Sequence, residues 1–241
     1  MDFLGGLFLN TSIGPLIIQF LSRIAPFIAY IYITGAIIVL TFIILLNREN
    51  LQILNIDFIF ILLLLFSGIM IFLQYNDSLM GWLSGAATIL LLYTLLAGGL
   101  KLSRPNPNAL RISLWVIGLF TLCILLLGNR LNISVVSQSM HYFYFDAFPN
   151  SVYEEIIYRG ILWMFLLNLG LNGKKVLFIQ AILFWVSHIN YVIFDPLDFW
   201  VIVPISGFLF GFMVLRSKSL TPSTLTHILL NLLLGWVQLL N

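Results

Sequence analysis

The stretch Ser151-Val-Tyr-Glu-Glu-Ile-Ile-Tyr-Arg159 opens an apolar run that continues through Leu169. It puts two carboxylates and a guanidinium inside, or at the edge of, a segment that reads as a membrane span. Each such charge costs roughly 2.5–3.5 kcal/mol at the centre of a membrane helix, so it turns towards protein or trapped water and has a use. On a helix, Glu155 and Arg159 stand four apart on one face, with the acid N-terminal, the better order for a pair. Glu154 points about 100° away and does not share that partner easily. One glutamate reads as a structural partner and the other as free for chemistry.

The chain around this stretch has the composition of a membrane protein. Its 241 residues are 61% hydrophobic and 8% charged, with a mean hydropathy of +1.08, whereas soluble chains average about 25% charged. The apolar residues fall in blocks of about 17–23, the length that crosses a bilayer as a helix. Short alternating segments of the kind a transmembrane barrel needs are absent. The expected fold is therefore an all-α bundle of about eight spans, with spans one to eight near 24–46, 58–73, 79–100, 110–127, 151–169, 175–193, 199–215 and 221–240. Residues 3–21, interrupted by Asn10, Thr11 and Ser12, read as interfacial or re-entrant, with a short extra span as the alternative. Asp2 stands where a cleaved signal peptide carries basic residues, which argues against one. The lone Cys123 cannot form an internal disulfide and reads as a small core residue. Nothing resembles a nucleic-acid-binding patch.

Two regions follow from this division. Residues 1–150 hold the first spans and interfacial segments, and 151–241 hold a four-helix core that carries the candidate chemistry. Between them, the Ser- and aromatic-rich connection 129–150 reads as a surface helix or a lid. The loop charges orient the bundle in a multi-pass, cell-membrane arrangement. Arg48, Lys101, Arg104, Lys174, Lys175, Arg216 and Lys218 all fall in connections that eight spans place on one side, with Arg111 just beyond. Arg23 and Arg130, with Asp195 and Asp198, fall on the other. The positive-inside rule makes the first side cytoplasmic.

Four further polar residues occupy the last spans. His188 follows Phe184 by four residues near the end of span six, and His227 and Asn231 are four apart on span eight, hence on one face. A single histidine in an apolar helix is ordinarily a satisfied structural residue. Two of the chain's three histidines, an asparagine in register and an unpaired glutamate in the same half point instead to function.

Glu154-Glu155-Ile-Ile-Tyr-Arg159, Phe184-Trp-Val-Ser-His188 and His227-Ile-Leu-Leu-Asn231 resemble the EExxxR, FxxxH and HxxxN motifs of the CAAX protease and bacteriocin-processing (CPBP, or Abi) family of intramembrane proteases. The run Gly207 to Pro222 also resembles that family's approach to its last motif, so the resemblance extends over about 151–236. It implies peptide hydrolysis of a membrane-associated peptide or protein, by CAAX-type cleavage or by bacteriocin or leader processing. The roles it implies are Glu154 as general base, His188 as a residue that orients the water, His227 and Asn231 as oxyanion donors, and Glu155 with Arg159 as support. No cofactor is favoured. A zinc site on Glu154, His188 and His227 is the alternative, although no HExxH is present. The motifs of other intramembrane proteases, Gly-x-Ser-Gly and Gly-x-Gly-Asp, are also missing. Ser84 and Ser206 precede glycines and read as close-packing positions. The rival functions are a proton- or ion-coupled transporter using the same Glu and His residues, and a non-catalytic immunity or scaffold protein.

Upright helices set a geometric difficulty. Glu154 and His188 lie near the outer ends of their expected spans, while His227 lies only about 9 Å in from the opposite end. Convergence requires that span five begin before Ser151, that the loop before span eight fold inward, or that helices tilt strongly.

Overall fold

The computed structural model describes residues 57–74, 82–83, 85–90, 104–127, 140–141, 143–189 and 191–240; for 127, 146, 193–194 and 237–240 it describes the backbone alone. The N-terminal segment 3–21, the expected first span, most of the third, Ser84 and most of the 129–150 connection lie outside these residues.

All the described elements are helical. Helix α1 is Phe58–Gln74 and α2 is Pro107–Leu127. A continuous helical run then extends from Phe143 to Asn168: a π-helical turn Phe143–Ala147, α3 Phe148–Glu155, a second π-helical stretch Ile156–Ile161, and α4 Leu162–Asn168. Helix α5 is Gly173–Ser187, α6 is the single turn Tyr191–Phe194, and a π-helical turn Asp198–Ile202 leads into α7, Val203–Ser217. Helix α8 is Thr221–Leu240.

Local sequence explains the boundaries. Asn106 accepts from the Ala109 amide at 2.8 Å and Pro107 follows it, so α2 starts on a side-chain cap with proline in its first turn. Asn172 caps α5 through the Lys175 amide at 3.0 Å. Gly170, at φ +83°, reverses the chain between α4 and α5, a conformation open to glycine at little cost.

The expected spans two, four, seven and eight coincide with helices. Two segments, Pro107–Leu126 and Asp198–Ser217, are long and apolar enough to cross a bilayer, with mean hydropathies of 2.2 and 1.9, and α1 is a shorter apolar helix. Spans five and six depart from expectation. The fifth begins at Phe143, about two turns before Ser151, and the sixth stops at Ser187, giving α5 a length of about 22 Å against roughly 30 Å of hydrocarbon. Two of the eight expected spans, the fourth and the seventh, are thus full-length apolar helices among the described residues.

Large apolar side chains cover much of the surface, while several polar ones lie among the apolar core. Trp115, Leu125 and Leu126 on α2 are each more than 70% exposed, while Ser151, Glu155, Arg159, Gln180, Ser223 and Thr224 are buried. Apolar surface outside and hydrogen-bonded polar groups inside is the arrangement lipid favours. Cys123, expected in the core, is only half-buried on α2 because most of that helix faces outward.

Helix α7 packs between α5 and α8, and α8 also meets α2 and α3. The α5–α7 contact depends on two glycines one turn apart. A Cβ on Gly207 would lie 2.9 Å from Cδ1 of Phe184, and one on Gly211 would lie 2.7 Å from Cδ1 of Leu177 and closer still to the Gln180 amide. Gln180 cannot simply swing away, because it is buried and its Nε2 donates to the carbonyls of Leu177 and Gly207 at 3.0 and 3.1 Å. Gly211→Ala is expected to lower stability by about 1–3 kcal/mol, the usual cost of overpacking. Denaturant unfolding in detergent micelles checks this; an unchanged midpoint would mean that the two helices do not need the glycine to approach.

Candidate active site

The chain's connections explain how distant motifs reach one height. From Asn168 back to Glu154 the helix rises about 21 Å, and from Gly173 up to His188 it rises about 22 Å. The short turn between Asn168 and Gly173 sets both rises off from the same end, so Glu154 and His188 meet. On the other side, Ser217, Ser219, Leu220 and Thr221 are buried, so α8 begins inside the protein and His227 starts deeper than an upright span allows. The early start of span five and the inward loop both contribute.

The two glutamates separate as their helical positions dictate. Glu155 is 0% exposed; its Oε1 accepts from Arg159 Nη1 at 3.0 Å and from His227 Nδ1 at 3.0 Å. Arg159 Nη2 also donates to the Gly207 carbonyl at 3.1 Å, tying the helix of the Glu pair to α7. Its guanidinium lies 4.2 Å from the Phe184 ring centre and 5.3 Å from that of Phe210, so aromatic faces border it as well. Glu154, with a side chain 24% exposed, points the other way. Its Oε2 lies 3.6 Å from His227 Nε2 and 3.9 Å from His188 Nε2.

The spacing of Phe184 and His188 has a structural cause. Because α5 ends at Ser187, the His188 amide bonds to Trp185 and leaves the Phe184 carbonyl without its helical partner. His188 Nδ1 donates to that carbonyl at 2.8 Å, and the Ser187 hydroxyl donates to it at 2.7 Å. A carbonyl only accepts, so the proton sits on Nδ1 and Nε2 faces Glu154. In the same way Glu155 holds the Nδ1 proton of His227 and turns Nε2 towards Glu154. Phe210 stacks on the His227 ring at 4.7 Å between centroids, fixing its plane.

Asn231 lies one turn beyond His227, and its Nδ2 donates to the Ser151 hydroxyl at 2.9 Å. Ser151 in turn donates to the Ala147 carbonyl at 2.6 Å. Glu154, His188, His227 and Asn231 all line one cavity of about 160 Å³, ample for several water molecules. Asn150, Tyr191, Asp198 and Ser206 line it too. Asn150, Tyr191 and Asp198 belong to the ends of their elements remote from Lys174, Lys175, Arg216 and Lys218, so the cavity reaches towards the end opposite the basic cluster.

Some of these residues are not legible in the sequence. Ser151 reads there only as the start of an apolar run, although it is one turn from Glu155 on the same face. Ser206, which reads as a packing position, contributes to the cavity wall while its hydroxyl donates to the Val203 carbonyl at 3.0 Å. Gln180 has a faint signal, a lone amide in an apolar helix opposite a pair of glycines. The third histidine, His141, does not line this cavity and packs at a tilt against Phe145, with ring centres 4.9 Å apart.

Zinc would draw on Glu154, His188 and His227. Among the described residues, however, no group of three or more His, Cys, Asp or Glu is placed to hold a metal ion.

A carboxylate, two imidazoles and a carboxamide thus line one cavity in an apolar helical bundle. Residues 136–233 match the family described as type II CAAX prenyl endopeptidase Rce1-like, and this match supports the CPBP family of CAAX proteases. That family is one of membrane-embedded proteases, whose substrates are peptides or proteins. Comparisons with curated proteins and with solved structures returned no match.

Proposed function

We propose that the chain is a multi-pass intramembrane endopeptidase of the cell membrane, cutting a lipid-associated CAAX-type peptide with water activated by Glu154. One observation carries the mechanism: the Glu154 carboxylate faces the cavity with two imidazole Nε2 atoms within 4 Å. Neither distance is a direct hydrogen bond. A water beside the line joining them can instead reach both Glu154 and His188 at about 2.8 Å.

That water donates one hydrogen to Glu154 and is oriented by His188. Its oxygen attacks the scissile carbonyl carbon, Glu154 takes the proton, and the carbonyl electrons move onto oxygen. Asn231 spends one N–H on Ser151 and has a second for the oxyanion; His227, when protonated at Nε2, adds another donor. The tetrahedral intermediate then collapses, the C–N bond breaks, and the proton on Glu154 passes to the leaving amine. Glu155 and Arg159 touch no reacting atom and act by holding His227 and the helix of Glu154. The basic end of the bundle faces the cytoplasm under the positive-inside rule.

The test is peptide cleavage by the purified chain in liposomes, using a farnesylated CAAX peptide, the same peptide without its prenyl group, and a bacteriocin-leader peptide. Cleavage of the farnesylated peptide is expected, at least tenfold faster than of the bare one, and within twofold of the same rate after a strong zinc chelator. Failure to cut any peptide overturns the protease reading, and Glu154-dependent proton flux in its place favours a transporter. Loss of cleavage with the chelator, restored by zinc, overturns the metal-free route alone.

A further inference from the structure

Asp57, ahead of α1, lies far outside the segment 136–233, yet it is only 2% exposed and is bound to the turn between α7 and α8. Its Oδ2 accepts from the Ser219 hydroxyl at 2.7 Å, and its Oδ1 accepts from the Thr221 hydroxyl at 2.6 Å and from the Phe60 amide at 3.1 Å. Three donors from two separate elements thus converge on one buried carboxyl group. The same turn is knotted internally. Lys218 takes φ +53°, the Ser217 hydroxyl donates to the Ser219 carbonyl at 2.9 Å, and the Thr221 amide donates to the Ser219 hydroxyl at 3.1 Å. Thr221 is the first residue of α8, and His227 follows within two turns on that stiff helix.

We infer that Asp57 is a positioning residue for the hydrolysis proposed above: it pins the buried α7–α8 turn, and through the start of α8 sets the height at which His227 and Asn231 meet Glu154. The inference rests on that reading for its catalytic consequence and on geometry alone for the latch. Without the carboxylate, two buried hydroxyls lose their acceptor, and the turn must move to find others or remain unsatisfied. A displacement of about 1 Å in a catalytic group can cost on the order of 100-fold in rate. The N-terminal half of the chain would thus complete a site whose reacting groups all belong to the C-terminal half.

The experiment compares full-length Asp57→Ala and Asp57→Asn with Ile71→Ala, a control that weakens the same helix at a buried apolar position. With the farnesylated peptide, Asp57→Ala is expected to lower kcat by 10- to 100-fold with KM within twofold. Asp57→Asn, which keeps an acceptor for Thr221, is expected to recover to within about threefold of wild type, and Ile71→Ala to keep wild-type kcat. Trypsin supplies a readout independent of activity. Lys218 is the exposed residue of an otherwise buried turn, so cleavage after it is expected to accelerate at least fivefold in Asp57→Ala and not in Ile71→Ala. Equal kcat losses in Asp57→Ala and Ile71→Ala, or no change in Lys218 cleavage, overturn the inference. If Asp57→Ala does not fold, Asp57→Asn decides: a kcat no better than one-hundredth of wild type overturns it. A wild-type chain that cuts nothing, with Lys218 still released in Asp57→Ala, sinks the protease reading and leaves the latch standing.

Discussion

Glu154→Gln is expected to lower kcat for peptide cleavage by 10²–10⁴-fold, the range that a positioned general base contributes. The amide is nearly the same size as the carboxylate, so the cavity keeps its shape, and only the ability to take a proton from water is lost. Among the described residues Glu154 makes no side-chain hydrogen bond: its carboxylate meets the two Nε2 atoms across the cavity at 3.6 and 3.9 Å, and Arg159 pairs with Glu155 instead. Stability should therefore stay close to wild type, which separates this variant from a folding defect. Steady-state cleavage of the liposome-bound farnesylated peptide, alongside an unfolding curve, provides the measurement. A variant that folds and retains more than one-tenth of wild-type kcat would exclude Glu154 as the base.

The second large effect is on stability. Arg159→Met leaves the fully buried Glu155 carboxylate without its guanidinium, and Glu155→Leu leaves the guanidinium among Phe184, Phe210 and the Gly207 carbonyl. Breaking a buried pair from either side typically costs about 3–5 kcal/mol, because the charge left behind is uncompensated. The double variant Glu155→Leu with Arg159→Met removes both charges and is expected to regain more than half of that loss. Activity should follow a different order. His227 loses the acceptor of its Nδ1 proton in any variant lacking Glu155, so the double variant stays impaired in kcat even where it is stable. Unfolding midpoints of the three variants in the same detergent test the first claim. A double variant no more stable than either single one counts against the pair as the source of the cost.

Much of this is readable from residue order. Composition and block length specify an all-helical membrane chain, and a four-residue spacing on a helix assigns Glu155 to Arg159 and turns Glu154 elsewhere. Those inferences need only the 3.6-residue turn and the expense of a charge in hydrocarbon, both local properties. The likeness carried by Phe184, His188, His227 and Asn231 is likewise a matter of order along the chain.

Other features depend on where helices stop and on what lies beside them. That α5 breaks at Ser187, freeing the Phe184 carbonyl to orient His188, has no strong local signal, since the apolar residues simply continue. That the helix of Glu154 begins at Phe143 is concealed by aromatics equally suited to an interface. Asp57 gives no sign of its partners, because Ser219 and Thr221 lie more than 160 residues away in the chain. Local sequence governs the helical state and the face each charge takes, because those depend on neighbours within one turn. The heights at which the four groups meet, and the turn that sets one of them, depend on contacts between helices that only the packed bundle brings together.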